Sequence, residues 1–341
     1  MTTELADRRK RRVLTLFLVA GAMAAIAAVT VGIELRASSP EAASGLVLPD
    51  LEESIPGAQR IIVQSADANY RIERTQQGWA MRDRDDYPVL SSRLAQLTDA
   101  LQSLRYVRRM TSDPAKHERL GVTDPRQGGR GVLLQIEDGR GALLVNVILG
   151  VEPNGGVYLR KPDDAQTWAV RAADAELPPL RDVSTWMELQ PLAISPDELV
   201  RVEISPPAGR PYILARASLA EGWRIAAPAL TTVAPALVST AAEHLTQLRP
   251  LDVRTAPAVQ GPPRARVRAT TATGVVIDAE LIDSDSRTWL KLVARASSPD
   301  QEGAALDINN RSAAWAYALS EEDARQLAPQ LADLVPSEVV Q

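Results

Sequence analysis

Hydrophobic and polar positions along the chain fall into three regimes. The first is a charge-free run, Val13–Ile33, flanked on its N-terminal side by Arg8, Arg9, Lys10, Arg11 and Arg12. As a helix this run is about 31 Å long, the thickness of a bilayer's hydrocarbon core. It predicts a transmembrane helix with the basic residues 1–12 left in the cytoplasm. A cleaved signal peptide is the alternative, with "SPEAAS" (39–44) as a small-residue cleavage site, although its apolar region is usually shorter. The second regime, residues 34–57, is rich in Ser, Pro, Glu and Gly and predicts a tether.

The third regime is a succession of short alternating segments and leucine stripes. Ile61 and Val63 alternate in "RIIV", as Val202 and Ile204 do in "RVEI". Leu90, Leu94, Leu97, Leu101 and Leu104 recur at helical spacing, and Val238, Ala242, Leu245 and Leu248 repeat the stripe. A last helix is predicted from Ser320, with Asp323 completing a capping box, Leu327, Leu331 and Leu334 inward, and a kink at Pro329.

Two Gly-Trp steps, "QGWAM" (77–81) and "EGWRI" (221–225), align these segments. A shift of 144 that places Trp79 on Trp223 also places Met81 on Ile225, Leu101 on Leu245 and Arg105 on Arg249. With drifting offsets, Tyr158 matches Trp289 and Trp168 matches Trp315, while Trp186 has no counterpart. Each unit reads as two strands, a helix, three or four strands and a helix. The expected fold class is therefore α+β: an N-terminal transmembrane helix, then two tandem repeats (58–192 and 197–336). Each repeat is expected to be a mainly antiparallel sheet packed with amphipathic helices. Trp79 and Trp223 are expected to plug equivalent core corners.

Composition narrows the chemistry. The chain has no Cys, which removes disulfides, thiol catalysis and thiolate metal sites. It has two His, too few for a polyhistidine metal centre. Residues 1–36 carry a net +3 of the total −5, leaving −8 for the remainder. That balance offers no footprint for nucleic acid and disfavours direct binding of the body to anionic headgroups. There is no GxSxG, Walker A or HExxH motif. "GGRG" (128–131) precedes a strand rather than a helix N-terminus. His117 and His244 lack a matching acid and nucleophile in sequence. Asp83, Asp85 and Asp86, Asp163 and Asp164, and Asp283 and Asp285 lack calcium-loop spacing and read as turns. No catalytic, cofactor-binding or metal-binding residue is assigned.

The most distinctive local motif is "HERLGVTDP" (117–125), a helix end, a Gly cap and a Pro-led extended re-entry. "RTAPAVQGPP" (254–263) occupies its place in the second half. In their order, Gly78, Trp79, Leu120, Gly121, Asp124, Pro125, Gly156, Tyr158 and Trp168 resemble the bacterial family catalogued as domain of unknown function 4340. The resemblance covers most of 58–190 and, more weakly, the second half. It implies a single-span protein of the inner membrane with an extracytoplasmic body. It further implies a non-enzymatic accessory role beside an ABC transporter permease and ATPase and a gliding-motility-type auxiliary subunit. A ligand or lipid carrier using an inter-repeat groove, and an envelope hydrolase with paired carboxylates, are the other readings.

Overall fold

The computed structural model describes residues 45–151, 156–228 and 233–335. The expected basic tail, membrane span and the first part of the tether (34–44) lie outside these residues. Among the described residues no helix is long and apolar enough to cross a membrane.

Antiparallel strands dominate. In the first half they are β1 (Ala58–Gln64), β2 (Asn69–Thr75), β3 (Gly78–Met81), β4 (Tyr87–Pro88), β5 (Leu104–Arg109), β6 (Val132–Asp138), β7 (Leu143–Val151), β8 (Val157–Arg160) and β9 (Thr167–Ala172). In the second half they are β10 (Leu199–Ser205), β11 (Tyr212–Ala215), β12 (Arg224–Ala227), β13 (Asp252–Thr255), β14 (Pro263–Thr271), β15 (Val275–Ser284), β16 (Arg287–Ala296) and β17 (Trp315–Leu319). The hydrogen-bonded orders are β4-β3-β2-β1-β6-β7-β8-β9-β5 and β12-β11-β10-β14-β15-β16-β17-β13.

Helices longer than one turn are few among the described residues: α1 (Ser91–Gln102), α2 (Pro235–Glu243), α3 (Glu302–Ser312) and α4 (Glu321–Leu327). The expected α+β class, with amphipathic helices covering each sheet, is therefore corrected to a mostly antiparallel β architecture in two sheets. The reason is local. The leucine stripe from Leu90 runs through α1, but its last member, Leu104, already opens β5. The stripe from Val238 breaks into a 3-10 turn at His244–Thr246. The last helix stops at Leu327, because Pro329 lacks the N–H that continuation requires. Meanwhile β14, β15 and β16 run for nine or ten residues each, with burial that alternates through most of β14 and β15 and the later part of β16.

Helix α3 was not legible. Its buried residues are Ala305 and Ser312, too small to write an apolar stripe. It is fixed by Asn309, which receives the Ala294 N–H at 2.8 Å and donates to the Ala294 carbonyl at 2.9 Å.

By internal contacts the chain forms two compact units. Among the described residues one comprises the chain from residue 45 to Asn69 with Ala95–Arg181; the other comprises Tyr70–Leu94 with the described residues from Asp182 on. In the first unit, Leu133, Leu134, Val147 and Ile148 of the central strands are fully buried. The outer edge of β5 is occupied by the middle of the expected tether, Gly45–Val47. Tyr106 N–H donates to the Gly45 carbonyl (3.1 Å), Val47 N–H donates to the Leu104 carbonyl (2.8 Å), and Leu46 registers antiparallel with Arg105.

In the second unit, Tyr70 and Tyr212 are each 1% exposed and each has its hydroxyl engaged. Trp186 Nε1–H donates to Tyr70 Oη at 2.7 Å, and Tyr212 Oη–H donates to the Pro329 carbonyl at 2.7 Å. The outer edge of β13 is closed by a side chain: Asp85 accepts from Thr255 N–H (2.8 Å) and Thr255 Oγ1 (3.0 Å). The expected equivalence of the two Gly-Trp residues is not met. Trp223 is 6% exposed, whereas Trp79 is only half-buried.

Candidate functional site

The distinctive motif folds into a loop between β5 and β6 in the first unit. Asp113 caps the turn Pro114–Lys116 by accepting from Ala115 N–H at 3.0 Å. The chain then winds around His117, whose carbonyl receives both Leu120 N–H (3.2 Å) and Val122 N–H (3.1 Å). Gly121 supplies a φ of +65°, which a side chain resists, and this turns Val122 back into a core with Leu133 and Ile148. Asp124 caps the next turn, Pro125–Gln127, by accepting from Arg126 N–H at 2.9 Å.

Two glycines after the motif, and one on a neighbouring strand, make room for this backbone. A Cβ on Gly129 would lie 2.5 Å from the Thr123 carbonyl carbon, and one on Gly131 would lie 2.6 Å from the Thr123 oxygen. A Cβ on Gly150 of β7 would lie 2.1 Å from the Leu120 oxygen. The "GGRG" run thus serves the loop, as its position before a strand suggests.

Arg160, at the end of β8, closes the loop from the other side. Buried to 8% exposure, it donates to the carbonyls of Val122 (3.2 Å), Lys161 (3.2 Å), Pro162 (3.0 Å) and Asp164 (3.3 Å). Burial lowers its pKa, opposed mainly by Asp124 and Asp164. Sequence reading missed this clamp, and only the Arg that ends the alternating strand "VYLRK" could have signalled it. His117 is buried, and its Nε2 lies 2.8 Å from the Ala165 carbonyl, so that nitrogen carries the proton. Asp124 is held below the usual carboxylate range, first by the Arg126 side chain. An open cleft of about 610 Å³ runs along the loop, between Glu118 and Arg130 on one side and Asp163 on the other.

The chemistry available here is limited by these commitments. Arg160 saturates four carbonyls, His117 serves a carbonyl, and Asp124 serves a cap and an arginine. The arrangement is a rigid surface feature with mixed charge at its mouth.

The remaining sequence candidates are dispersed. Asp83 accepts from Arg71 N–H (2.7 Å) and its guanidinium (3.1 Å), and Asp86 pairs with Arg82 at 2.6 Å. Asp285 and Ser286, both at positive φ, form the two-residue turn joining β15 to β16. Asp283 accepts from Thr288 Oγ1 at 2.8 Å. Asp164 accepts from Gln166 N–H at 2.9 Å. His244 lies beside Asp323, Nε2 to Oδ1 3.2 Å, and Ser320 Oγ–H donates to the other oxygen of Asp323 at 2.7 Å. The three residue types of a hydrolase triad meet there in the wrong order. The serine serves the carboxylate, not the imidazole, so no nucleophile faces a base. Among the described residues no three His, Asp or Glu side chains gather as a metal-binding group. Sequence reading also missed the pairing of Asp252 with Arg84 and with Arg287 (3.0 Å).

A family model described as "Domain of unknown function (DUF4340)" matches residues 79–265, more than half of the chain. The matched span begins at Trp79 in β3, contains the whole loop just described, and ends at Ala265 in β14. No curated protein and no solved structure matches the chain.

Proposed function

The chain belongs to that family, and from this premise we propose that it is a membrane-anchored extracytoplasmic accessory subunit of an ABC transporter complex. In this reading the basic residues 8–12 stay in the cytoplasm, the apolar segment Val13–Ile33 holds the inner membrane, and the body works outside as a non-enzymatic docking module.

The observation that carries the reading is the seating of the tether. Gly45–Val47 do not hang from a loop; they form an antiparallel bridge to β5 through Leu46, with two backbone hydrogen bonds. Tension on the tether is therefore taken up by backbone hydrogen bonds of a sheet. A short leash that ends in a sheet keeps a weakly binding domain at high local concentration near a membrane partner. The loop around Arg160 supports the docking role, since its charged groups are locked in place rather than free for acid–base work.

The test is isolation of the full chain in mild detergent, with and without residues 1–36, and identification of what accompanies it. A permease and an ATPase should be recovered with the full chain, and less with the truncated one. A reporter fused at Gln341 should be active only in its exported form. A full-length chain that emerges alone, with a body that turns over an envelope substrate, would sink the proposal.

A further inference from the structure

The paired strands β5 and β9 carry two arginines, Arg105 and Arg171, set directly opposite each other, unlike the paired arginines on β14–β16. Arg105 of β5 stands directly opposite Arg171 of β9, so both project from the same face. A bulge at Val107 shifts the register and brings Arg108 opposite Ala169, onto that face as well. All three are exposed. Like charges placed directly opposite across two strands repel. Among the described residues neither Arg105 nor Arg171 forms an ion pair. On β14–β16 of the other sheet, by contrast, Arg266 pairs with Glu280 (3.0 Å), and Arg268 and Arg295 both pair with Asp278 (2.7 and 2.6 Å).

Protection of a sheet edge is the ordinary use of such charges. Here Gly45–Val47 already cover the edge at Leu104–Tyr106. In the membrane-anchored reading the same segment tethers the arginines to the span, since Leu46 registers with Arg105. The chain from Ile33 to Gly45 reaches at most about 40 Å even when fully extended. The body's net −8 weighs on this face mainly through nearby acids such as Asp164, which acts on Tyr106 beside Arg105, since charges more than about 8 Å away are screened at physiological salt.

We propose that Arg105 and Arg171 form a docking surface for anionic phospholipid headgroups of the leaflet that the body faces. This rests on the membrane-anchored reading and adds the lipid class to it. The guanidinium fork matches phosphate oxygens in pairs, and headgroup phosphates relieve the Arg105–Arg171 repulsion. Each basic side chain near an anionic membrane is worth about fivefold in partitioning.

The experiment uses the full chain with a single fluorophore at Val107→Cys, which is unique because the chain has no Cys. Val107 is 56% exposed beside the arginines. A second labelled chain, Leu306→Cys on α3, is the control; Leu306 is 58% exposed. Each is reconstituted with phosphatidylcholine vesicles, with and without phosphatidylglycerol. The label at 107 should shift to the blue only with phosphatidylglycerol, and high salt should reverse the shift. Arg105→Gln with Arg171→Gln should weaken the response at least tenfold at an unchanged thermal midpoint. Arg105→Lys with Arg171→Lys should restore most of it, and position 306 should stay silent. Equal responses with neutral and anionic vesicles, no response to either, or a Gln pair that responds like the parent would overturn the proposal. The anchoring reading is scored separately, by whether the chain floats with pure phosphatidylcholine vesicles. If it does not, the 107 signal with added phosphatidylglycerol vesicles still decides the lipid surface.

Discussion

The two sheets share a strand order but cross from their last edge strand to their centre in different ways. β1 and β10 have the same pattern of burial and the same irregularity two residues in, between Ala58 and Arg60 and between Leu199 and Arg201. After β5, residues 110–131 wind through the His117 and Asp124 turns before β6 begins; after β13, residues 256–262 suffice. The strand beneath answers each crossover. In the first sheet Gly150 pairs with Tyr158, and the Leu120–Gly121 backbone rests where a side chain would stand. In the second sheet Ile282 pairs with Trp289 at the corresponding register and packs with Val259 of the short crossover. One topology thus accepts either a folded loop or an apolar side chain in the same layer, and a glycine decides which.

The sharpest way to break this comparison is Gly150→Ala. The new Cβ would meet backbone atoms, which cannot rotate away, so the loss should be about 3 kcal/mol, the upper end for overpacking. Ile282→Ala should cost a similar amount, about 2–4 kcal/mol, for the opposite reason, a cavity. Urea midpoints of the two variants check both, and a near-neutral Gly150→Ala would show that the loop does not need the space. Arg160→Ala comes next. It strands four carbonyls that the guanidinium now satisfies, for a loss of about 2–3 kcal/mol. Hydrogen exchange should accelerate across 117–131 and 161–167 and stay unchanged in β14–β16.

The strands were the most legible part of this molecule, because period-two alternation needs nothing beyond a buried and an exposed face. The loop was half legible. Leu120-Gly121 and Asp124-Pro125 announce a cap and a turn, but the need for Gly150 depends on a neighbour thirty residues away. Arg160 was illegible for the same reason: a buried arginine at the end of a strand looks like a solvated one until its carbonyl partners are known. The helices were over-read. A leucine stripe reports an apolar face, and at Leu104 that face had already passed from helix to strand.

The two Gly-Trp residues sharpen the comparison further. Trp223 Nε1–H donates to Glu243 at 2.9 Å, and the Arg216 guanidinium lies 4.9 Å over its ring. Arg216 is itself buried and held by the carbonyls of Leu199 (2.7 Å) and Pro196 (2.9 Å). Trp223→Ala should therefore cost about 3 kcal/mol or slightly more. Trp79→Ala, at a half-buried position, should cost about half of that. Equal losses in thermal unfolding would contradict the difference in burial.

The smallest expected effect belongs to His244, and its sign is diagnostic. Burial depresses the pKa of this imidazole, and the nearby Asp323 carboxylate opposes the shift without cancelling it. The folded state thus prefers the neutral ring more than the unfolded chain does. Between the depressed folded pKa and the ordinary value near 6.5, the unfolded state binds more protons, so stability rises with pH through that window. The contribution is complete above about pH 6.5 and is lost as pH falls toward the folded pKa. In His244→Gln, which cannot take up the proton, this slope should flatten while the rest of the pH profile keeps its shape. In Asp323→Asn the larger of the two charges opposing the burial is removed and only Glu322 remains, so the folded pKa should fall further and the slope should extend to lower pH. Unfolding free energies measured between pH 5 and pH 8 separate these cases. A parent protein that gained stability on acidification through this range, with the gain removed by His244→Gln, would mean that Asp323 dominates and the imidazole folds as a cation.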